Sequence, residues 1–279
     1  VKLERTEEHN VVVAALRGVA LFLLLCLALI DGWLRRPSTL AERILWSQGW
    51  AKKTLRLLRG SVQVKGTLPV HGLIASNHVS YVDVIVLASQ MPTVFVAKAE
   101  VQNWPLIGLL CKRAGVIFIN RESIRAAAVA NRVVEAALRS GLRVVVFPEG
   151  TTSAGDTILP LHAALFQAAL SANAPILPVW LQYVNDAERA RIAYWGDMTL
   201  VPHLFAMMRL RSMEARVHVA AAGTPAANRA QAAQMCDAAW RQMMEGSGEQ
   251  AALTQLGENE FDGPVERLGA DDGDVRTFA

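Results

Sequence analysis

The stretch GLIASNHVSYVDVIVLAS, residues 72–89, decides the fold. Gly72 to Ser76 are small or apolar, a polar break follows, and the run from Tyr81 to Ser89 has helical spacing. That is the form of a buried strand turning directly into a helix. Asn77-His78-Val79-Ser80 therefore stands where polar side chains emerge from the end of a sheet. The same texture recurs after Gly60. Residues 62–66, 93–99, 115–120, 143–148, 175–184 and 215–221 read as further strands, and 123–139, 162–172 and 226–244 as further helices. Such alternation predicts an α/β fold with a mostly parallel or mixed central sheet flanked by helices. Gly141, directly after Ser140, is a helix stop ahead of the strand containing Val144 to Phe147.

Upstream, residues 11–30 read VVVAALRGVALFLLLCLALI, with Arg17 as the only charge. About 20 apolar residues suffice to cross a hydrocarbon core as a helix. The start of the chain is mixed in charge and the run ends in Asp31-Gly32-Trp33, unlike a cleaved signal peptide. A buried core helix is the alternative, since Arg17 is costly in lipid unless it reaches the interface. Residues 40–58 place Trp46 and Trp50 among Arg43, Lys52, Lys53 and Arg56, a composition suited to a membrane surface with anionic lipid. The two segments predict N-terminal membrane-associated helices over 1–59, a catalytic domain over 60–245 and an acidic, flexible tail over 246–279. Positive charge following the apolar run places the remainder on the cytoplasmic side if the run spans.

With 279 residues, 52% of them hydrophobic, 19% charged and a net charge of +3, and a mean hydropathy of +0.25, the chain is too apolar for a disordered or fibrous protein. From Gly246 onward eight acids oppose Arg267 and Arg276, so the tail carries −6 and the rest +9. Cys26, Cys111 and Cys236 lie far apart and form no Cys-x-x-Cys pair, which indicates neither a disulfide framework nor a zinc site. The simplest compartment is a reducing one.

Two strand ends carry the chemistry. His78 and Asp83, five residues apart, are rotated by about 140° within one regular helix. They meet if His78 lies in the loop and Asp83 in the first turns of the helix. Asp83 then fixes the imidazole tautomer and leaves the other nitrogen as a general base, a dyad suited to activating a substrate hydroxyl. The spacing alone does not separate this from a structural histidine and a solvated aspartate. Ser80 reads as a helix cap, because no Gly-x-Ser-x-Gly elbow is present. At the second strand end, Phe147-Pro148-Glu149-Gly150-Thr151-Thr152-Ser153 offers a carboxylate, three hydroxyls and a flexible backbone, able to hold a polar substrate or simply to form a turn. Gly115 to Arg121 is a strand ending in a cation suited to phosphate or carboxylate. Pro175-Ile176-Leu177-Pro178-Val179 reads as an edge or entry strand that can line an apolar site.

In this order, Asn77-His78-x4-Asp83, Gly115-x-x-Phe118-Ile119-x-Arg121, Phe147-Pro148-Glu149-Gly150-Thr151 and the Pro175 strand resemble the glycerolipid acyltransferase family typified by 1-acyl-glycerol-3-phosphate acyltransferases. The resemblance covers residues 62–184. It implies a membrane-bound enzyme moving an acyl group from acyl carrier protein or acyl-CoA to a lysolipid hydroxyl, with no metal and no further cofactor. It also implies His78 as base and Asp83 as its orienter. Asn77, Arg121, Glu149, Gly150, Thr151 and Thr152 belong to substrate binding by the same resemblance, and Lys98 matches a basic position near the acceptor. A bacterial inner-membrane location with the catalytic domain facing the cytoplasm follows from it.

The chain departs from the commonest pattern at two points. Thr152 stands where many lysophosphatidate enzymes have arginine, which removes a partner for an acceptor phosphate. After Leu159-Pro160, only His162 replaces the usual basic pair. Trp195-Gly196-Asp197-Met198 with Pro202-His203-Leu204 resembles a bacterial subgroup that includes lyso-ornithine-lipid acyltransferases, whose acceptor carries no phosphate. The readings to be separated are acyl transfer to lyso-ornithine lipid or lysophosphatidate, a noncatalytic lipid-binding or membrane-remodelling protein on the same fold, and a thioester hydrolase.

Overall fold

The computed structural model describes residues 2–120, 123–221 and 226–260. The chain divides into one unit ending at Met243 and another beginning at Met244. In the first unit two long helices, α1 (Lys2–Arg35) and α2 (Leu40–Leu57), precede an α/β body. Its strands are β1 (Gly60–Lys65), β2 (Gly72–Ser76), β3 (Val94–Lys98), β4 (Ile117–Ile119), β5 (Arg143–Val146), β6 (Ile176–Tyr183) and β7 (Met213–Val219). Between them run α3 (Val82–Gln90), α4 (Ile107–Ala114), α5 (Ile124–Arg139), α6 (Gln167–Ala172), α7 (Asp186–Ile192) and α8 (Leu200–Met208). A final helix, α9 (Arg229–Glu260), supplies the last turns of the first unit and the described part of the second.

The seven strands form one sheet in the order β1-β7-β6-β2-β5-β3-β4. Neighbours are parallel except β6 and β7, which pair antiparallel through Trp180↔His218 and Leu181↔Val217. The sheet is thus mixed but mostly parallel, as expected. Leu73, Ile74, Ala75, Val144, Val145 and Val146 are all buried, because helices cover both faces of the central strands. That two-sided burial is why these strands read as unbroken apolar runs and not as alternations. β7 alternates instead, with Met213, Ala215, Val217 and Val219 buried and the residues between them partly open.

All seven predicted strands are present, and α3, α5 and α6 lie within a residue or a turn of their predicted places; the Pro175 strand, expected at an edge, is instead interior as β6, paired with β2 and β7. Residues 162–165 enter α6 through a 3-10 turn, Ala163–Phe166. α9 continues to Glu260, past the predicted end at Met244, across a run (Gln250, Ala251, Ala252, Leu253) of good helix formers. The rest of the acidic tail lies outside the described residues. Three helices were not predicted. Pro105 and Gly108 disguise α4, α7 is short and charged, and α8 contains Pro202, a residue type that interrupts helix interiors. Pro202 occupies the first turn of α8, where a missing N–H is not needed.

Within α1, Val11–Arg35 is the one helical stretch among the described residues long and apolar enough to cross a membrane. Ala14, Leu21 and Ala28, spaced seven apart, are buried, whereas Leu16, Val19, Phe22, Leu23, Leu27 and Ile30 are exposed. One stripe packs on the body and the rest presents apolar surface. Arg17, the residue that was costly for an apolar helix, donates to the carbonyls of Met208, at 3.1 Å, and Leu210. It thereby caps the carboxyl end of α8, whose terminal carbonyls lack helical partners. α2 starts with a capping box, Thr39 and Glu42. It is clasped to α1 by Asp31, which accepts from Trp46 Nε1 at 2.9 Å and Trp50 Nε1 at 3.0 Å.

Gly72 begins β2 at φ +114°, and a Cβ there would lie 2.6 Å from the carbonyl oxygen of Pro175. Gly141 also has positive φ, +76°, but open space around it. Gly72→Ala is expected to destabilise the fold by about 2–4 kcal/mol and Gly141→Ala by about 1 kcal/mol. Denaturant unfolding of both variants in detergent checks the order.

Candidate active site

The parallel strands bring their carboxyl ends to one edge. In sheet order these ends are Tyr183 of β6, Ser76 of β2, Val146 of β5, Lys98 of β3 and Ile119 of β4. The residues that follow each strand gather there, where open α/β sheets bind ligands. His78, two residues beyond β2, remains in the loop, and Asp83 is the second residue of α3, which is the arrangement their spacing required.

His78 Nδ1 lies 2.8 Å from Asp83 Oδ2. The same oxygen accepts the backbone N–H groups of Val79 at 2.7 Å and Ser80 at 2.9 Å. Oδ1 accepts the Tyr183 hydroxyl at 2.7 Å. Asp83 is completely buried, so these donors replace its water. An ionised carboxylate only accepts, which puts the proton on Nδ1 and leaves Nε2 as the basic nitrogen. The His78 ring stacks on Phe147 with centroids 3.9 Å apart and planes 14° from parallel, which limits its rotation. Its side chain keeps 18% exposure, enough for contact with a substrate.

Glu149 is buried and ties two loops together. Oε1 accepts the His78 N–H at 2.9 Å, and Oε2 accepts the Leu159 N–H at 3.3 Å. Burial lifts its carboxyl to about 7, against the pull of those two donors and of His78 itself toward the anion. Ser153 completes the loop pair by donating its N–H to the His78 carbonyl at 2.9 Å. Glu149 and Ser153 thus hold His78 by both ends of its peptide unit.

Asn77 is buried, and its amide pairs twice with the Leu181 backbone, giving from Nδ2 at 2.9 Å and accepting on Oδ1 at 2.7 Å. In this structure it joins the end of β2 to β6. Gly150 turns the chain at φ +75°. Thr151 is exposed and Thr152 half-buried on the same loop. Lys98 is exposed at the end of β3. Arg121 lies outside the described residues. Ser80, expected as the helix cap, is buried and its Oγ accepts the Val82 N–H at 3.4 Å, but the N-cap of α3 is Tyr81, without a side-chain cap.

Sequence reasoning missed Tyr183. Tyr183 stands 100 residues from Asp83 in an apolar strand, and no local pattern links the two. Arg189 of α7 rests against Gly155, with its guanidinium 3.5 Å from that carbonyl and paired with Asp186. An open cleft of about 340 Å³ shares no residue with the dyad and is lined by Leu29, Arg43, Leu109, Lys112 and Arg113, between α1, α2 and α4. Among the described residues no cluster of three or more His, Cys, Asp or Glu could hold a metal.

The Glu149 carboxyl holds its proton in the folded chain up to about 7 and releases it near 4.5 when unfolded. The stabilisation is present below 4.5 and lost as pH rises through 7, a change of about 3 kcal/mol at most. The stability of the wild type relative to Glu149→Gln is expected to fall over that interval, as read by unfolding at pH 4.5 and 7.5.

The Acyltransferase family matches residues 61–182, which takes in β1 through β6 and the whole dyad loop. A lyso-ornithine lipid O-acyltransferase of Brucella abortus is 30% identical over 74% of this chain and 81% of its own length. A 1-acyl-sn-glycerol-3-phosphate acyltransferase of Neisseria meningitidis is 39% identical over 52% of this chain. The chain spans only 57% of that relative's length. The crystal structure of a 1-acyl-sn-glycerophosphate acyltransferase from Thermotoga maritima superposes with a TM-score of 0.61, covering 88% of this chain and 98% of that one, at 17% identity. That likeness speaks for the fold, and the sequence relatives speak for descent: the chain belongs to the acyltransferase family.

Proposed function

We propose that the protein is a membrane-associated O-acyltransferase that moves an acyl chain from a thioester to the free hydroxyl of a lysolipid. The observation that carries this reading is the His78–Asp83 pair, 2.8 Å apart, with the carboxylate saturated by donors and the imidazole stacked on Phe147 and partly exposed. His78 Nε2 takes the hydroxyl proton as the acceptor oxygen attacks the thioester carbonyl carbon. The C–S bond then breaks, and the leaving thiolate takes the proton back from the imidazolium. Asp83 stabilises the imidazolium between these events and remains an anion throughout. A thioester is already activated, so no enzyme nucleophile is needed, and a positioned base supplies typically about 10²- to 10⁴-fold.

The donor is acyl carrier protein or coenzyme A thioester, and the acceptor is lyso-ornithine lipid or lysophosphatidate. Names of relatives support both acceptors. Thr152, in place of a cation, supports the phosphate-free one. Lys98, Gly150, Thr151 and Thr152 follow strand ends on the edge where acceptor or donor would bind, and Arg121, two residues past β4 in sequence, is assigned to binding by the family resemblance. The apolar stretch Val11–Arg35 supports membrane association, and the positive charge that follows it is the ground for a body on the cytoplasmic face of a bacterial inner membrane.

His78→Ala is expected to abolish transfer in a folded protein, and Asp83→Asn to reduce it strongly by disturbing the tautomer. Tyr183→Phe removes one donor to the carboxylate and should lower kcat about tenfold or more with little change in KM. The assay offers acyl carrier protein or coenzyme A thioester with both lysolipids in parallel and identifies products by mass. Free fatty acid released at equal rates with and without acceptor would mark a hydrolase instead. Unchanged turnover in His78→Ala would remove the dyad from the mechanism.

A further inference from the structure

Residues 195–208 read WGDMTLVPHLFAMM and contain one formal charge, Asp197. In the fold they form the approach to α8 and α8 itself, and their large side chains do not all turn inward. Val201 is 76% exposed, Trp195 48%, Phe205 42% and Met198 40%. Single exposed apolar residues are ordinary, but four from one short, nearly uncharged segment form a patch that needs a partner.

Two features say what that partner is. First, the patch includes side chains of a helix packed on α1, whose Leu16, Val19 and Leu23 are themselves exposed. α8 packs on α1, and Arg17 of α1 fastens the carboxyl end of α8 through the Met208 and Leu210 carbonyls. Second, the segment is tied to the catalytic loop. Tyr194 donates its N–H to the Val79 carbonyl at 2.9 Å. His203 lies 2.9 Å by Nε2 from the Ala193 carbonyl and 3.0 Å by Nδ1 from the Tyr81 hydroxyl. The carbonyl can only accept, so Nε2 donates and Nδ1 accepts from Tyr81. Burial, which lowers the basicity of His203, agrees with this neutral form. Tyr81 itself stands two residues before Asp83. The exposed side chains therefore sit on a segment braced against the loop that carries the dyad.

We propose that the segment from Trp195 to Phe205 is a second lipid-contacting surface, which seats the mouth of the active site on the bilayer beside the α1 anchor. The inference rests on the membrane reading above and extends it from the anchor to the catalytic edge. Apolar residues with one acidic flank gain by burial at the acyl boundary, and Trp195 suits the interface level. A dry seat there lets an amphiphilic acceptor reach His78 without leaving lipid for water.

The experiment places the photo-crosslinking residue benzoylphenylalanine in the full chain at position 201, 22 or 70 in separate variants, in native membranes, and identifies adducts by mass. Phe22 is on the exposed stripe of α1, and Val70, 78% exposed, precedes β2 at the opposite end of the strand. Phospholipid adducts at 22 and 201 but not at 70 are expected. Lipid adducts at 22 with none at 201 would overturn the second surface while leaving the anchor in place. An adduct at 201 to a second copy or to another protein would overturn it in favour of a protein interface. No lipid adduct at 22 or 201 would overturn the membrane reading together with the proposal. None of these outcomes depends on catalysis, so they are separate from the acyl-transfer assay.

Discussion

A carboxylate with no exposed surface is held as an anion only if hydrogen bonds replace its water, because stripping an ion of water costs several kcal/mol. Asp83 is such a group, and four donors converge on it: two backbone N–H groups from its own loop, the His78 ring and the Tyr183 hydroxyl. Each donor comes from a place the fold must deliver. The N–H groups need the loop to wrap back on the first turn of α3, the ring needs β2 to end at Ser76, and the hydroxyl needs β6 to lie beside β2. A shift of β6 by one residue would turn Tyr183 to the other face of the sheet and leave Oδ1 bare. The strand register is thus set by hydrophobic burial and also read out by one anion.

Around that anion the structure arranges backbone contacts that no single motif contains. Glu149 takes the His78 N–H, Ser153 reaches the His78 carbonyl, and Asn77 is spent on Leu181. Residues that look like substrate-binding groups in a linear motif are in part the fasteners of His78. Thr151, exposed on the same turn, is free of that work. The motif therefore mixes residues that hold His78 with residues left exposed beside it.

Much of this was legible. The strands could be read because two-sided burial leaves unbroken apolar runs, and the dyad could be read because both members stand at one strand-to-helix junction. Tyr183 was not legible, since its hydroxyl matters only through a partner brought close by sheet order. Pro202 hid α8, because proline signals a break in the chain but is harmless in a first turn. Arg17 was seen as a cost, and the carbonyls that offset it are 191 and 193 residues away. Local pattern gives elements and junctions, whereas contacts across the sheet belong to topology.

That last contact has a consequence for biogenesis. A ribosome makes α1 first, yet the carbonyls that satisfy its guanidinium belong to residues 208 and 210. While the intervening chain is being synthesised, Arg17 must find water or a lipid phosphate, so the nascent helix is favoured at the membrane surface over the hydrocarbon interior. The anchor reaches its final seat only when α8 closes on it. Seating of α1 and completion of the body are then one event, and a chain cut before α8 would leave the helix with an uncompensated charge.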